Sequence, residues 1–360
     1  MQIASSLHTL LAFAVALGAL VFVHELGHFF VAKQLGVRVL RFSIGFGPVL
    51  WAWRRGETEY ALSAMPLGGY VKMLGEDDDR EAITEPERAF STQSPGRRAA
   101  IVFAGPAMNF VFAFLVYALL FAVVGAEMPS NLPRVGGVAP GSPAEAAGLR
   151  ANDDIVAVDG HPIATWDDLS QSVLHSDGKP LNLTVARDGA RFPLVVKPEL
   201  RDNRSLFGEQ LGRVYRIGIE ASHDWKPVNP ARAVILAGEQ TWTASAVVVQ
   251  GLALMMTGRV PLRELGGPIA IARAAGQQAR AGLRYFLSML AFLSVNLGVL
   301  NLLPIPALDG GHLALGAVEA ALRRPLRPRH RELAQQVGLL LLLTLMVFVF
   351  YNDIHRLVQG

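Results

Sequence analysis

Four long runs of nearly uninterrupted apolar residues divide the chain, at roughly 7–31, 99–124, 285–306 and 335–351. A helix needs about 20 mostly apolar residues to cross the hydrocarbon of a bilayer, so each run predicts a membrane span. The last, VGLLLLLTLMVFVFY, is short by itself and draws in Ala334 to Gln336 to cross comfortably. A fifth stretch, 233–256, is nearly as apolar, but Glu239, Thr243 and Gln250 recur close to helical spacing. That pattern predicts an amphipathic helix lying on the outer membrane surface.

Between the spans the period changes from helical to alternating. In 32–98, RVLRFSIGFGPVLWAW and TEYALSAMPLGGYVKM alternate like strands around Gly-Pro and Gly-Gly turns, predicting a small membrane-associated β-sheet. The run EDDDREAITEPER reads as a solvated loop with no chemistry. Residues 131–199 predict a compact α+β module: a strand, a Pro-Gly turn, a short helix ending near Gly148, a strand over Ile155 to Val158 and a turn at Asp159–Gly160. WDDLSQSVLHS follows as an amphipathic helix with Trp166, Leu169, Val173 and Leu174 inward, then a hairpin turning at Asp188–Gly189. This order resembles a bacterial PDZ domain, a fold that takes up a peptide as an added strand at a sheet edge.

With 51% hydrophobic and 18% charged residues and a mean hydropathy of +0.34, the chain is too apolar for an ordinary soluble protein. The absence of cysteine excludes disulfides and thiolate metal sites, so a metal would be held by His, Asp or Glu. A net charge of +3 does not indicate nucleic acid, because the basic residues sit beside the apolar runs. Lys33, Arg38, Arg41, Arg54, Arg55, Lys72, Arg97 and Arg98 lie between spans one and two, and Arg323, Arg324, Arg327, Arg329 and Arg331 precede span four. The positive-inside rule makes both segments cytoplasmic, so both termini and the long 125–284 connection face outward. The first run has no Lys or Arg before it and no clear cleavage site, and reads as a retained span.

Chemistry enters with His24-Glu25-Leu26-Gly27-His28. On a helix, HExxH puts two imidazoles four residues apart on one face for zinc and leaves the Glu beside the attacking water. Placing an ionisable group at the centre of a span costs about 2.5–3.5 kcal/mol, and a metal ion compensates such groups directly. A catalytic zinc takes three protein ligands, and Asp309, in NLLPIPALDGG, is the candidate for the third. Two further crossings return the end of span three to the face where span one carries HExxH; a crossing by 233–256 would put Asp309 on the wrong side. Glu25 is then the general base of peptide hydrolysis. Asn301, about two turns before Asp309, can donate to the oxyanion, with Asn109 and Asn296 as alternatives; for each, a hydrogen bond between helices is the competing role.

Taken together, HELGH, GFGP, PLGGYVKM, AGPAMN, the PDZ-like module, LGGPIAIA and NLLPIPALDGG resemble the site-2 protease family of intramembrane zinc metalloproteases, in its bacterial RseP-type group, here with a single PDZ domain. The resemblance spans essentially 7–356. It implies a multi-span α-helical membrane protein with a three-helix metalloprotease core, an inserted extracytoplasmic PDZ-like domain and a Zn2+ cofactor on His24, His28 and Asp309. It further implies that the Gly45–Pro48 and Pro66–Tyr70 regions, with Gly68 and Gly69 in the second, help hold an extended substrate. The expected partners are a membrane-spanning protein substrate of the anti-sigma-factor or remnant-signal-peptide kind, a peptide at the PDZ-like domain and the lipid bilayer. The expected location is a bacterial inner membrane, with the active site toward the cytoplasm. The division that follows is 1–125, an N-terminal catalytic half; 126–200, the PDZ-like domain; 201–284, a return segment with the surface helix; and 285–360, a C-terminal catalytic half. Two other classes remain in play: a zinc transporter, which predicts ligands spread along a path across the bilayer, and a silent PDZ scaffold, which predicts loss of Glu25.

Overall fold

The computed structural model describes residues 2–76, 85–204, 210–261, 266–322, 324, 326 and 328–359; most of the acidic loop expected at 76–88 lies outside them. The chain begins with α1 (Gln2–Gln34), a hairpin of β1 (Val39–Arg55) and β2 (Thr58–Met73), and α2 (Pro95–Val123). There follow β3 (Ala126–Pro129), β4 (Val135–Val138), α3 (Pro143–Ala146), β5 (Asp154–Val158), β6 (His161–Pro162), α4 (Trp166–Leu174), β7 (Leu181–Arg187) and β8 (Ala190–Val196). Next come β9 (Glu199–Arg204), β10 (Gln210–Arg216), β11 (Ile219–Ala221) and β12 (His223–Lys226). Helices α5 (Pro230–Met256), α6 (Pro268–Ala281), α7 (Leu283–Asn301), α8 (Asp309–Leu322) and α9 (Pro328–Gln359) complete it. Two compact units result: Met1–Leu120 with Ala231–Ala253 and Pro261–Gly360, and Phe121–Pro230 with Leu254–Val260.

In the first unit, four helices are long and apolar enough to cross a membrane: Ser6–Gln34, Pro95–Val123, Leu283–Asn301 and Glu332–Arg356. They are the four runs read from the hydropathy pattern. Span three stops at Asn301, short of 306, because Pro304 and Pro306 have no N–H to continue the ladder. A separate helix, α8, then starts at Asp309. Ala16 and Leu20 of α1 pack with Leu290 of α7 and Phe112 of α2, and Ser294 Oγ of α7 donates to the backbone carbonyl of Asn109 at 2.9 Å. The hairpin docks on the same helices, with Val39, Phe42, Val71 and Met73 sharing a core with Ala32 of α1 and Ile101 of α2. Its turn end is pinned by Glu57, which takes Lys33 at 2.7 Å and Arg88 at 2.7 Å.

Helix α5 covers the stretch expected to lie on the surface. Glu239, Thr243 and Gln250 are exposed, as their spacing implies, while Ala233, Ala237, Ala244 and Val248 are buried. Its middle turns do not stand clear of the spans: Gly238, Thr241, Trp242, Ser245 and Val249 line a cavity of about 730 Å3 with Phe110 of α2 and Val299 of α7. Small side chains at 238, 241 and 245 permit that approach. Helix α6, absent from the sequence reading, packs against α1 and is capped by Asp353 of α9, which accepts from the N–H groups of Gly267, Ile269 and Ala270 at 2.9–3.1 Å.

The second unit follows the α+β pattern expected of it. Strands β6, β5, β7 and β8 form one sheet in that order, and β7 turns into β8 at Asp188 and Gly189, both at positive φ. Helix α4 carries a full capping box between Thr165 and Asp168 and buries Leu169 and Val173. Trp166 only packs against that core, and Leu174, expected inward, is exposed, because it lies about 100° around the helix from the buried Val173. The unit also runs beyond residue 200. Strand β11 pairs with β4, and Ile217 is 2% exposed in the core beside Val135, so the module is incomplete without its last strands.

A buried ion pair fastens this core. Asp153 accepts two bonds from Arg187, at 2.6 and 2.7 Å, and one from the Arg150 N–H at 2.8 Å. Burial pushes the Asp153 carboxyl up, but these donors outweigh it and hold it below the usual carboxylate range. A depressed carboxyl adds stability above its unfolded pKa of about 3.9 and loses it as pH falls through the lower folded value. Arg187→Ala leaves the Asp153 charge buried without its partner and should destabilise this unit at neutral pH. Amide hydrogen exchange in β5 and β7 of the full chain should accelerate about a hundredfold at pH 7, with the ratio to wild type shrinking below pH 4. An equal ratio at both pH values would contradict this account.

Candidate metal centre

Helix α1 presents His24 and His28 one turn apart on the side that meets α2 and α8. Two glycines let the helices close up. A Cβ at Gly27 would lie 2.2 Å from the Ala104 carbonyl oxygen, and one at Gly105 would lie 2.2 Å from His28 Nε2 and 2.9 Å from His24 Cε1. The imidazoles therefore occupy the space that a side chain at 105 would fill.

Asp309 arrives from the other half of the chain as the first residue of α8. The two residues after it must be glycines, because a Cβ at Gly310 or Gly311 would run into the backbone of 302–306 at 2.2–2.5 Å. The far end of α8 is fixed by Glu319, 6% exposed, which holds Arg98 of α2 at 3.4 Å and accepts from the Leu326 N–H at 2.9 Å.

The three side chains converge. His24 Nε2 lies 3.1 Å from Asp309 Oδ2, His28 Nε2 lies 3.6 Å from Asp309 Oδ1, and the two Nε2 atoms are 3.2 Å apart. Among the described residues this is the one group of His, Asp or Glu whose donor atoms gather closely enough to hold a metal. Ligands about 2.0–2.1 Å from a tetrahedral zinc sit about 3.3 Å from one another, which matches these separations. Two imidazole nitrogens and a carboxylate in a largely buried pocket also need a cation to offset their desolvation. The donor set fits zinc and leaves one position of a tetrahedron for water or substrate.

Glu25 is half-buried on the same helix face. Strand β2 passes beside it: a Cβ at Gly69 would lie 3.2 Å from Glu25 Cγ and 2.8 Å from the Ser43 carbonyl oxygen. Gly68, at φ 141°, sits against the Phe46 ring.

The three asparagines separate. Asn301 Nδ2 lies 3.5 Å from both ring nitrogens of His24, so it reaches the site. Asn109 is fully buried with Nδ2 3.0 Å from His24 Nδ1. Asn296 donates to the Phe292 carbonyl of its own helix at 2.9 Å and is not brought into the group. Sequence reasoning missed Gly105, Glu319 and Ile101, whose carbonyl accepts from His28 Nδ1 at 2.9 Å. A glycine next to a proline in an apolar span was the available signal for Gly105; a carbonyl acceptor leaves none.

Residues 12–345 match peptidase family M50. Curated relatives align over almost the whole chain. A zinc metalloprotease by name from Mesorhizobium japonicum is 39% identical across 97% of this chain and 99% of its own length. A similarly named protein of Rhizobium meliloti is 37% identical across 97% of both. The regulator of sigma-E protease RseP of Escherichia coli is 35% identical across 98% of this chain and all of its own.

Proposed function

This chain belongs to peptidase family M50, the site-2 type of zinc metalloprotease built into a membrane, and from that premise we propose how its own residues divide the work. His24, His28 and Asp309 are the zinc ligands, and Glu25 is the general base. The observation that carries this is the meeting of all three donor atoms within 4.8 Å of one another beside a half-buried Glu25.

A zinc ion held there supplies Lewis acidity, which makes water acidic enough to lose a proton near neutral pH and polarises the scissile carbonyl. Glu25 takes that proton as the water oxygen bonds to the carbonyl carbon, then delivers it to the amine as the C–N bond breaks. Asn301 turns its amide toward the developing oxyanion. Strand β2 at Gly68 and Gly69 offers its backbone to an extended segment of substrate, the conformation that exposes a peptide bond to attack. Helices α1, α2 and α7 form the catalytic core: α1 carries His24, Glu25 and His28, α2 packs Gly105 against both imidazoles, and α7 carries Asn301 and leads through 302–308 to Asp309, 3.1 Å from His24.

The protein is a multi-pass inner-membrane protein, and we place its active site toward the cytoplasm from the basic segments flanking it. Residues 121–230 are read as a single PDZ-like domain on the opposite side. The alignment to the Escherichia coli relative runs over 459 positions against 360 residues here, a difference the size of one small domain. Substrates are membrane-anchored proteins; the names of the relatives point to control of a sigma factor, and a peptide at the PDZ-like domain is a further partner.

Purified full-length protein in liposomes should cut a single-span test substrate. Stripping zinc with a chelator should lower the rate at least about a hundredfold, and stoichiometric zinc should restore it. Undiminished cleavage by metal-free protein would sink the mechanism. Zinc uptake into the vesicles without cleavage would favour a transporter.

A further inference from the structure

The imidazole of His28 has its proton placed by the fold. Its Nδ1 faces the Ile101 carbonyl at 2.9 Å, and a carbonyl can only accept, so Nδ1 carries a hydrogen, and in the neutral, metal-binding form of the ring Nε2 is the bare nitrogen toward Asp309. His24 needs the same tautomer to present a bare Nε2 beside it. Its Nδ1 faces Asn109, one turn beyond Gly105 on the same face of α2 as Ile101.

Asn109 has an unusual balance of bonds. It is fully buried, its Nδ2 lies 3.0 Å from His24 Nδ1, and its Oδ1 has no hydrogen-bond partner. With the amide in that sense, Asn109 donates to Nδ1, and the ring proton must sit on Nε2, where a metal would bind. Turning the amide half a revolution about its last side-chain bond puts Oδ1 against Nδ1. The ring then donates from Nδ1 and Nε2 is freed. The turn exchanges one buried atom without a partner for another, so it leaves the count of unsatisfied groups unchanged while converting His24 into a ligand. The backbone of Asn109 is held during the exchange, because its carbonyl accepts from Ser294 Oγ at 2.9 Å.

We propose that Asn109 is a positioning residue that selects the metal-binding tautomer of His24 by accepting a hydrogen bond from Nδ1, completing on α2 a pair of second contacts with Ile101. Full burial behind the imidazole leaves Asn109 without access to substrate, which separates this role from that of Asn301 at the site. The inference rests on His24 being a zinc ligand.

The test is zinc affinity of the full-length, metal-stripped protein in detergent, measured by competition with a chromophoric chelator. Asn109→Leu keeps the shape and removes the acceptor, and its zinc affinity should fall ten- to a hundredfold, the usual effect of losing such a partner. Asn109→Asp restores an acceptor and should bind within about threefold of wild type. If the leucine variant binds like wild type, or the aspartate variant is as weak as the leucine one, the proposal is overturned; the aspartate arm decides even if the leucine variant does not fold. His24→Ala is the control. Wild-type affinity in that variant would instead remove His24 from the ligand set, a failure of the underlying reading that the two Asn109 variants alone would not produce.

Discussion

Glu25→Gln should lower peptide cleavage by about 10²–10⁴-fold, the usual span of general acid–base catalysis, while zinc stays bound. Glutamine matches glutamate in shape and keeps an acceptor oxygen, but it cannot take the proton from water. The carboxylate is not in the cluster of three donors, so its loss should leave metal affinity unchanged. The measurement is a cleavage rate on a single-span substrate paired with zinc content per molecule in the same preparation. A variant that keeps a tenth of wild-type activity would move the base elsewhere. A variant that cuts poorly because its zinc is gone would make Glu25 part of the metal site.

Gly105→Ala should be nearly as damaging, although it looks mild. In an exposed helix interior the change would favour helix formation by about 1 kcal/mol. Here the added methyl would sit 2.2 Å from His28 Nε2 and 2.5 Å from its Cε1, in the space the ring occupies. Both imidazoles, or the whole of α1 against α2, must move by about 1 Å, a misplacement that costs on the order of a hundredfold in rate. The expected signature is a hundredfold or greater loss of activity and a weaker zinc affinity, with helical content by circular dichroism unchanged. Wild-type affinity for zinc would show that the rings can retreat, and the geometry assigned to α2 would be wrong.

How legible the protein was depended on where each signal is written. The four spans and HELGH are local patterns, so a chain read residue by residue gives them up. Asp309 needed an argument about topology, because its partners lie more than 280 positions away, but counting crossings sufficed to bring it to the same face. Helix α8 was hidden because Asp309 ends the apolar run in sequence yet begins a new helix in space, its Gly310 and Gly311 tucked onto 302–306. Helix α6 was hidden because a short amphipathic stretch, capped by a carboxylate from α9, carries its N-terminal signal on another helix. The end of the second unit was misjudged for a similar reason. Strand β11 belongs with β4, some eighty residues earlier, and no local pattern records that pairing.

One pairing in that unit bears on how much the chain between the spans can be altered. The strand that leaves span two, β3, is zipped to the strand that leads into α5, β12, from Pro129 opposite His223 to Ala126 opposite Lys226. Whatever is folded between them is presented to the rest of the chain as a single hairpin stem. Material can be added, duplicated or exchanged beyond the stem without altering the separation of the two chain ends. The stem acts as a socket: lengthening or replacing what it holds leaves Ala126 and Lys226 paired where they were.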